Sequence, residues 1–274
     1  MPELPEVETI VCELKNANLL HKKIIRAEVL WPRTLLPPDI ETFCKEIQGK
    51  EILSIARRGK YIAFTLSKGF TLFVHLRMTG RFAFTPNDHV RVSLHFSGGI
   101  DLYYIDARKF GKWSLVKNQE DIIGHLGPEP LEESFTAAEF FNNLQSKKRK
   151  LKPLLLDQTF IAGLGNIYVD EALWEAKLHP EQTSEALTAK KSADLLKSIR
   201  YVLTRGLQTQ GTTLGKGKSN YYRLEGEKGN HQDSLSVFRK TGLPCPRCGT
   251  IIKRIIVGQR STHFCPKCQQ ITST

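Results

Sequence analysis

Met1-Pro2-Glu3-Leu4-Pro5-Glu6-Val7-Glu8 opens the chain with proline in second position and three carboxylates interleaved with apolar residues. Elementary helix chemistry reads this stretch as a helix start. Proline suits a first turn, where its missing N–H has no intrahelical partner to lose, and acidic side chains sit well against the positive end of the helix dipole. Working outward, Val7, Ile10, Val11, Leu14 and Ala17 recur on one face, so residues 4–18 are predicted to form an amphipathic helix. Cys12 lies on that helix far from any other cysteine and reads as a packing residue. A second, chemical reading competes. Removal of Met1 would leave Pro2 as a free secondary amine flanked by Glu3.

Behind the helix the pattern turns to β. Residues 24–30, 51–57, 61–66 and 70–76 read as strands, with a short helix over 38–47 and a turn at Ser67-Lys68-Gly69. Residues 89–96 alternate apolar and polar as a half-buried strand should, and Gly98-Gly99 turns them into 100–105. Residues 1–126 are therefore expected to form an antiparallel β-sandwich domain closed by the first helix, within an α+β protein. Gly127-Pro128-Glu129-Pro130 is a candidate linker. Beyond it, Thr136 and Glu139 form a capping box ahead of Phe140, Phe141 and Leu144. Residues 147–150 are a basic run read as a solvated face, and 154–157 belong to a second helix. Gly163-Leu164-Gly165-Asn166 opens a third helix over 167–176, and Thr188 caps a long one running to Arg205 and closed by Gly206. A helix–two-turns–helix domain is expected over 131–222. Its last part lies in the polar, glycine- and lysine-rich segment 211–233, predicted to be a mobile loop.

Forty Lys and Arg against twenty-eight Asp and Glu give a formal charge of +12 over 274 residues, which favours a polyanionic partner, nucleic acid first. No apolar run approaches the ~18 residues of a membrane span, and the acidic start does not read as a signal peptide, so a cytoplasmic protein with reduced cysteines is expected. In that compartment cysteines point to metal. Cys245-Pro246-Arg247-Cys248 and Cys265-Pro266-Lys267-Cys268 are two knuckles separated by sixteen residues. Together they supply the four thiolates of a closed tetrahedral zinc site, structural because no position is left open. Residues 235–274 are expected to form this zinc-ribbon finger. Residues 239–274 carry seven Lys or Arg and no Asp or Glu, with Arg260 near the hairpin tip, as a nucleic-acid clamp requires. Two further loops pair cations with exposed apolar tips: His75-Leu76-Arg77-Met78-Thr79-Gly80 and Asp106-Ala107-Arg108-Lys109-Phe110-Gly111. Such side chains can enter a duplex and occupy the space of an everted base. Arg57-Arg58-Gly59-Lys60 brings cations to a tight bend, and Gly163–Asn166 offers backbone N–H groups and an amide to a phosphate.

The octet from Met1, the Gly59-Lys60 bend, residues 75–80, Gly163–Asn166 and the terminal zinc ribbon occur together and in order. This closely resembles the bacterial formamidopyrimidine-DNA glycosylase family, across nearly the whole chain. The resemblance implies a bifunctional glycosylase/AP lyase that excises 8-oxoguanine and formamidopyrimidines from duplex DNA. The amine of Pro2 would be the nucleophile, Glu3 its acid–base partner and Lys60 a phosphate-binding assistant. Met78, Arg108 and Phe110 would fill the void left by the base, while His75, His89, Arg108, Lys152, Asn166 and Arg260 would contact DNA. Glu6 and Glu171 would be supporting buried carboxylates, and Cys245, Cys248, Cys265 and Cys268 would bind one structural zinc. The expected partner is duplex DNA bearing oxidised bases or abasic sites, met by a monomer at the nucleoid. Lys109 stands where the family has a second arginine, and the 214–232 segment departs from the family pattern where the everted base is recognised. Two alternatives follow: an endonuclease VIII-like enzyme for oxidised pyrimidines, and a non-catalytic zinc-ribbon DNA-binding protein.

Overall fold

The computed structural model describes residues 1–36, 38–215, 221–224 and 226–271. The chain divides into two compact units: Met1–His125 with Leu207–Gln232, and Leu126–Gly206 with Asp233–Thr274. The first unit thus takes in the described residues 207–215, 221 and 222, which fall within the 131–222 segment of the sequence reading.

In the first unit, α1 (Leu4–Asn16) buries Leu4, Val7, Ile10, Val11 and Leu14 as its periodicity requires. Cys12 is exposed, with its Sγ 3.9 Å from Glu8 Oε1, so its packing role is corrected: it shares the outer face with Glu8, one turn earlier. The strands are β1 (Ile24–Val29), β2 (Ile52–Arg58), β3 (Tyr61–Leu66), β4 (Phe70–His75), β5 (Arg81–Ala83), β6 (Val90–Phe96), β7 (Ile100–Ile105) and β8 (Lys112–Val116), with α2 (Ile40–Ile47) between β1 and β2 and α3 (Glu120–Ile123) after β8. They form two antiparallel four-stranded sheets, ordered β2-β3-β4-β8 and β1-β6-β7-β5. The apolar face of α1 shares one core with residues from both sheets, among them Ile55, Ile62, Phe64, Phe82, Val92 and Trp113. The sequence pattern omitted β5, β8 and α3, since three residues of β5 are too few to show alternation. The predicted mobility of 211–233 is also corrected in part. Residues 216–220 and 225 of that segment lie outside the described residues, but Tyr221 and Leu224 are buried in the α1 core.

In the second unit, α4 (Ala137–Gln145) starts at Thr136, whose Oγ1 accepts the Glu139 N–H at 3.2 Å. It is followed by α5 (Leu151–Leu156), α6 (Asn166–Glu175) and α7 (Ala189–Gln208). α5 begins earlier than its apolar run suggested. Pro153 sits in its first turn, where the absent N–H costs nothing. The expected linker is packed rather than free: Gly127 N–H donates to Gln158 O at 2.8 Å and Ala162 N–H to Pro128 O at 3.0 Å. Gly206 does not close α7, which continues past it. A Cβ there would lie 2.5 Å from the Tyr168 hydroxyl, so close helix approach explains that glycine. The ribbon strands β9 (Lys253–Val257) and β10 (Arg260–Phe264) pair antiparallel through Gly258 and Gln259. Both turn residues have positive φ, 55° and 61°, as a two-residue type I′ hairpin demands.

Candidate active site and nucleic-acid interface

The start of α1 is a reciprocal cap made by glutamates. The Glu3 carboxylate accepts the Glu6 N–H, while Glu6 Oε2 accepts the Glu3 N–H at 2.8 Å. Glu6 Oε1 takes the Thr212 N–H at 2.8 Å, so one buried carboxylate joins the helix start to the segment that follows α7. Pro2 and Glu3 are buried, whereas Met1 is exposed. Burial lowers the terminal amine below its ordinary 8.0; Glu3 and Glu6 oppose the shift, and Lys60 and Arg108 reinforce it. Lys60 reaches this neighbourhood from the β2–β3 bend, where Arg58 pairs with Tyr61 across Gly59 and Lys60 and Gly59 takes φ 56°. Lys60 is only 5% exposed. At the end of β4, burial, then Arg77 and Lys60, push the His75 pKa from 6.5 down to about 3. Its Nδ1 accepts the Arg77 N–H at 3.0 Å, which leaves the proton on Nε2. His75 is thus a neutral hydrogen-bond donor rather than a cation.

The two loops with apolar tips stand together in this unit. Met78 is 38% exposed and Phe110 51%, and the Arg108 guanidinium lies 5.0 Å from the Phe110 ring centroid. Lys109 adopts a left-handed backbone, φ 62°, and its ammonium sits 3.9 Å over the Trp31 ring. His89 precedes β6, its carbonyl accepting the Asp106 N–H at 2.9 Å, and it borders a cavity of about 350 Å³ together with Thr79, Arg81, Asp88 and Tyr222.

In the second unit, Asn166 opens α6 and its Nδ2 donates to Ser261 O at 3.0 Å. This sets the amide beside exposed Arg260 on the ribbon hairpin. Glu171 is buried and accepts the N–H groups of Ser236, Val237 and Phe238 at 2.8, 2.9 and 2.8 Å. Burial raises its pKa against those three donors. Lys152 does not stand where a DNA contact requires. It is 0% exposed and paired with Asp170, whose other oxygen takes the His263 N–H at 2.9 Å. A lysine sealed in this way has its charge neutralised internally and has no path to a phosphate.

The sulfur atoms of Cys245, Cys248, Cys265 and Cys268 all lie within 4.8 Å of one another. A tetrahedral ion with Zn–S bonds of ~2.3 Å needs sulfurs roughly 3.8 Å apart. The set therefore fits one zinc ion. The Trp174 indole N–H donates to Cys245 Sγ at 3.4 Å, a second layer that orients the ligand.

Family models match residues 1–113 as the formamidopyrimidine-DNA glycosylase N-terminal domain, 126–217 as the H2TH domain of the same enzymes, and 242–271 as the zinc finger found in FPG and IleRS. The formamidopyrimidine-DNA glycosylase of Protochlamydia amoebophila is 57% identical, covering 98% of this chain and all of that protein. The chain belongs to the formamidopyrimidine-DNA glycosylase family. The MutM (Fpg) crystal structure from Thermus thermophilus superposes with a TM-score of 0.90 at 38% identity, covering 99% of this chain and 100% of that one. A Lactococcus lactis FPG mutant, solved with DNA containing Fapy-dG, gives 0.89 at 40% identity over 98% and 100%. Among the described residues no helix is long and apolar enough to cross a membrane.

Against this family background, the residues that sequence reasoning missed are hubs rather than tips. Asp106 organises both apolar-tipped loops, and Asp170 ties the zinc finger to α6. Glu13 on α1 accepts the Arg223 guanidinium and, at 2.8 Å, the Leu224 N–H, anchoring the segment between Gly211 and His231. Thr213 and His231 brace its two ends: Thr213 Oγ1 donates to Tyr221 O at 2.9 Å, and the His231 N–H donates to Gly211 O at 3.0 Å. Only the aspartate preceding Ala107-Arg108 carried a usable signal, a carboxylate at a strand end before a glycine-closed turn.

Proposed function

We propose that this chain is a bifunctional DNA glycosylase and AP lyase of base excision repair, acting on oxidised purines in duplex DNA. The observation that carries the reading is the chain start, where burial lowers a terminal amine set among Glu3, Glu6, Lys60 and Arg108. Removal of Met1 would expose a new terminus, the secondary amine of Pro2, at a position already buried beside Glu3. An α-amine has an ordinary pKa near ~8 and lysine ~10.4, so a larger share of an α-amine than of a lysine is neutral and nucleophilic at pH 7.

The amine lone pair attacks C1′, the glycosidic bond breaks and the base departs with the bonding electrons and a proton. Glu3 protonates the sugar ring oxygen as the ring opens to an iminium. The iminium acidifies C2′: loss of that proton expels the 3′ phosphate, and loss of the C4′ proton then expels the 5′ phosphate. Lys60 and neutral His75 hold phosphate oxygens, with His89, Arg108, Asn166 and Arg260 as further backbone contacts. Met78, Arg108 and Phe110 occupy the vacated space. Glu6 and Glu171 position the chain start and the ribbon approach. The basic balance and the ribbon charge support duplex DNA as the partner, and the working form in this reading is a monomer in the cytoplasm.

Borohydride reduction of protein beginning at Pro2, mixed with an 8-oxoguanine:cytosine duplex, is expected to leave a covalent complex through the N-terminus. Retained Met1 should abolish trapping while DNA binding persists. Absence of a trapped species from protein verified by mass to begin at Pro2 would sink the mechanism, and preferential cutting at thymine glycol would move the reading to the endonuclease VIII-like class.

A further inference from the structure

Asp106 follows β7 and is only 1% exposed, yet it lies directly beneath exposed side chains. Its Oδ1 accepts the Thr79 hydroxyl and the Arg108 N–H, the latter at 3.2 Å. Its Oδ2 accepts the Gly111 N–H at 2.7 Å. Arg108 N–H also reaches Thr79 Oγ1 at 3.3 Å, so the same carboxylate binds both ends of the 106–111 turn and the residue next to Met78. Its backbone is fixed as well, its N–H to His89 O at 2.9 Å and its carbonyl to Arg91 Nε at 2.9 Å.

Tyr104 lies under the same two loops. Its ring packs edge-on against Phe82 and Trp113 in the sandwich core, with centroids 5.6 and 5.3 Å away. Its hydroxyl presses against both loop glycines: a Cβ at Gly80 would lie 2.1 Å from it, and one at Gly111 1.6 Å. Both loops are therefore seated on one anchored side chain, and neither tolerates a larger residue there.

An unpaired buried carboxylate would be costly, and here donors from two loops offset that cost together. Side chains that must enter a base stack as a group act best when their relative positions are already set. We propose that Asp106, seated with Tyr104, is a positioning residue that makes residues 76–80 and 106–111 one block, presenting Met78, Arg108 and Phe110 to the duplex as a unit. This rests on reading those three as the void-filling groups.

The test uses full-length protein beginning at Pro2 and two substrates: an 8-oxoguanine:cytosine duplex and a single-stranded abasic oligonucleotide, which has no stack to enter. Asp106→Asn is expected to lower kcat/KM on the duplex by about tenfold or more while changing single-strand cleavage less than about twofold. Thr79→Val, which removes only the hydroxyl, should show the same selectivity with a smaller loss, and it decides the matter if Asp106→Asn does not fold. In a Met78→Ala/Phe110→Ala background, adding Asp106→Asn should cost less than about twofold on the duplex, because residues acting as a unit are not additive. Equal losses on both substrates, or additive losses in the cycle, would overturn the proposal. Failure of the parent reading looks different: the unsubstituted protein would neither cut the duplex nor be trapped on abasic DNA.

Discussion

Lys60 and Lys152 are both buried lysines, and both were expected to meet DNA, but their surroundings differ in kind. Around Lys152, Asp170 neutralises the ammonium, and the same carboxylate holds His263 on the ribbon. Lys60 and Arg77 instead act together on His75, and Lys60 and Arg108 on the terminal amine, with Glu3 and Glu6 opposite. A cation balanced inside the fold holds structure together. Around Lys60 charges of both signs meet: Glu3 and Glu6 act on the terminal amine more strongly than Lys60 and Arg108 do. The two units differ in the same way, one using a buried carboxylate to hold loops with exposed tips, the other using one to fasten a finger to a helix.

The largest effect should come from breaking the fastened side at the metal. The ribbon's apolar cluster is small, and two of its members are Cys245 and Cys265 themselves. Structural zinc contributes roughly 10–16 kcal/mol in isolated fingers. Cys245→Ser is expected to lose zinc by elemental analysis, to lower the unfolding temperature of the second unit and to weaken duplex binding; binding unchanged after zinc loss would remove the ribbon from the interface.

Next in size is Asp170→Asn, which leaves the Lys152 charge buried without its counter-charge and should cost about 3–5 kcal/mol in denaturant unfolding. Lys152→Met should cost less, since Asp170 keeps the His263 donors, and should leave DNA affinity unchanged. Lys60→Met should show the reverse balance, losing cleavage activity more than stability. If Lys152→Met weakened DNA binding as Lys60→Met does, the contrast would collapse.

The smallest effect is a slope. His75 binds a proton in the unfolded chain below 6.5 but in the folded protein only near 3. The unfolded state therefore takes up more protons between those values. Stability from this group is complete above pH 6.5 and falls as pH drops, by up to about 1.4 kcal/mol per pH unit. His75→Gln should flatten the decline in unfolding midpoint between pH 6.5 and 5, and an unchanged slope would mean that His75 is not held neutral.

Much of the fold was legible because its signals are local. The α1 face, the Thr136 cap, the strand alternation before Gly98-Gly99 and the two knuckles each declare themselves within a few residues. The exposed apolar tips were legible for the same reason: Met78 follows Arg77, and Phe110 closes a short basic turn. β5 and β8 were not, because a short edge strand is defined by its partner rather than by its own pattern. Nor was the membership of residues 207–232, whose attachment to α1 depends on Glu6, Glu13 and a core two hundred residues away in sequence.

By itself, then, the sequence determined the helix that aims the chain start, the antiparallel sandwich, the helical segment after it and a four-thiolate metal site. Periodicity, capping and ligand spacing are properties of neighbouring residues, and they survive without knowledge of the fold. The tertiary structure alone decided that Lys152 is sealed, that Gly206, Gly80 and Gly111 are glycines because of Tyr168 and Tyr104, and that Asp106 and Asp170 are hubs. Those outcomes depend on which desolvated group meets which partner across the chain, and burial turns the same residue type from a surface charge into a structural bond.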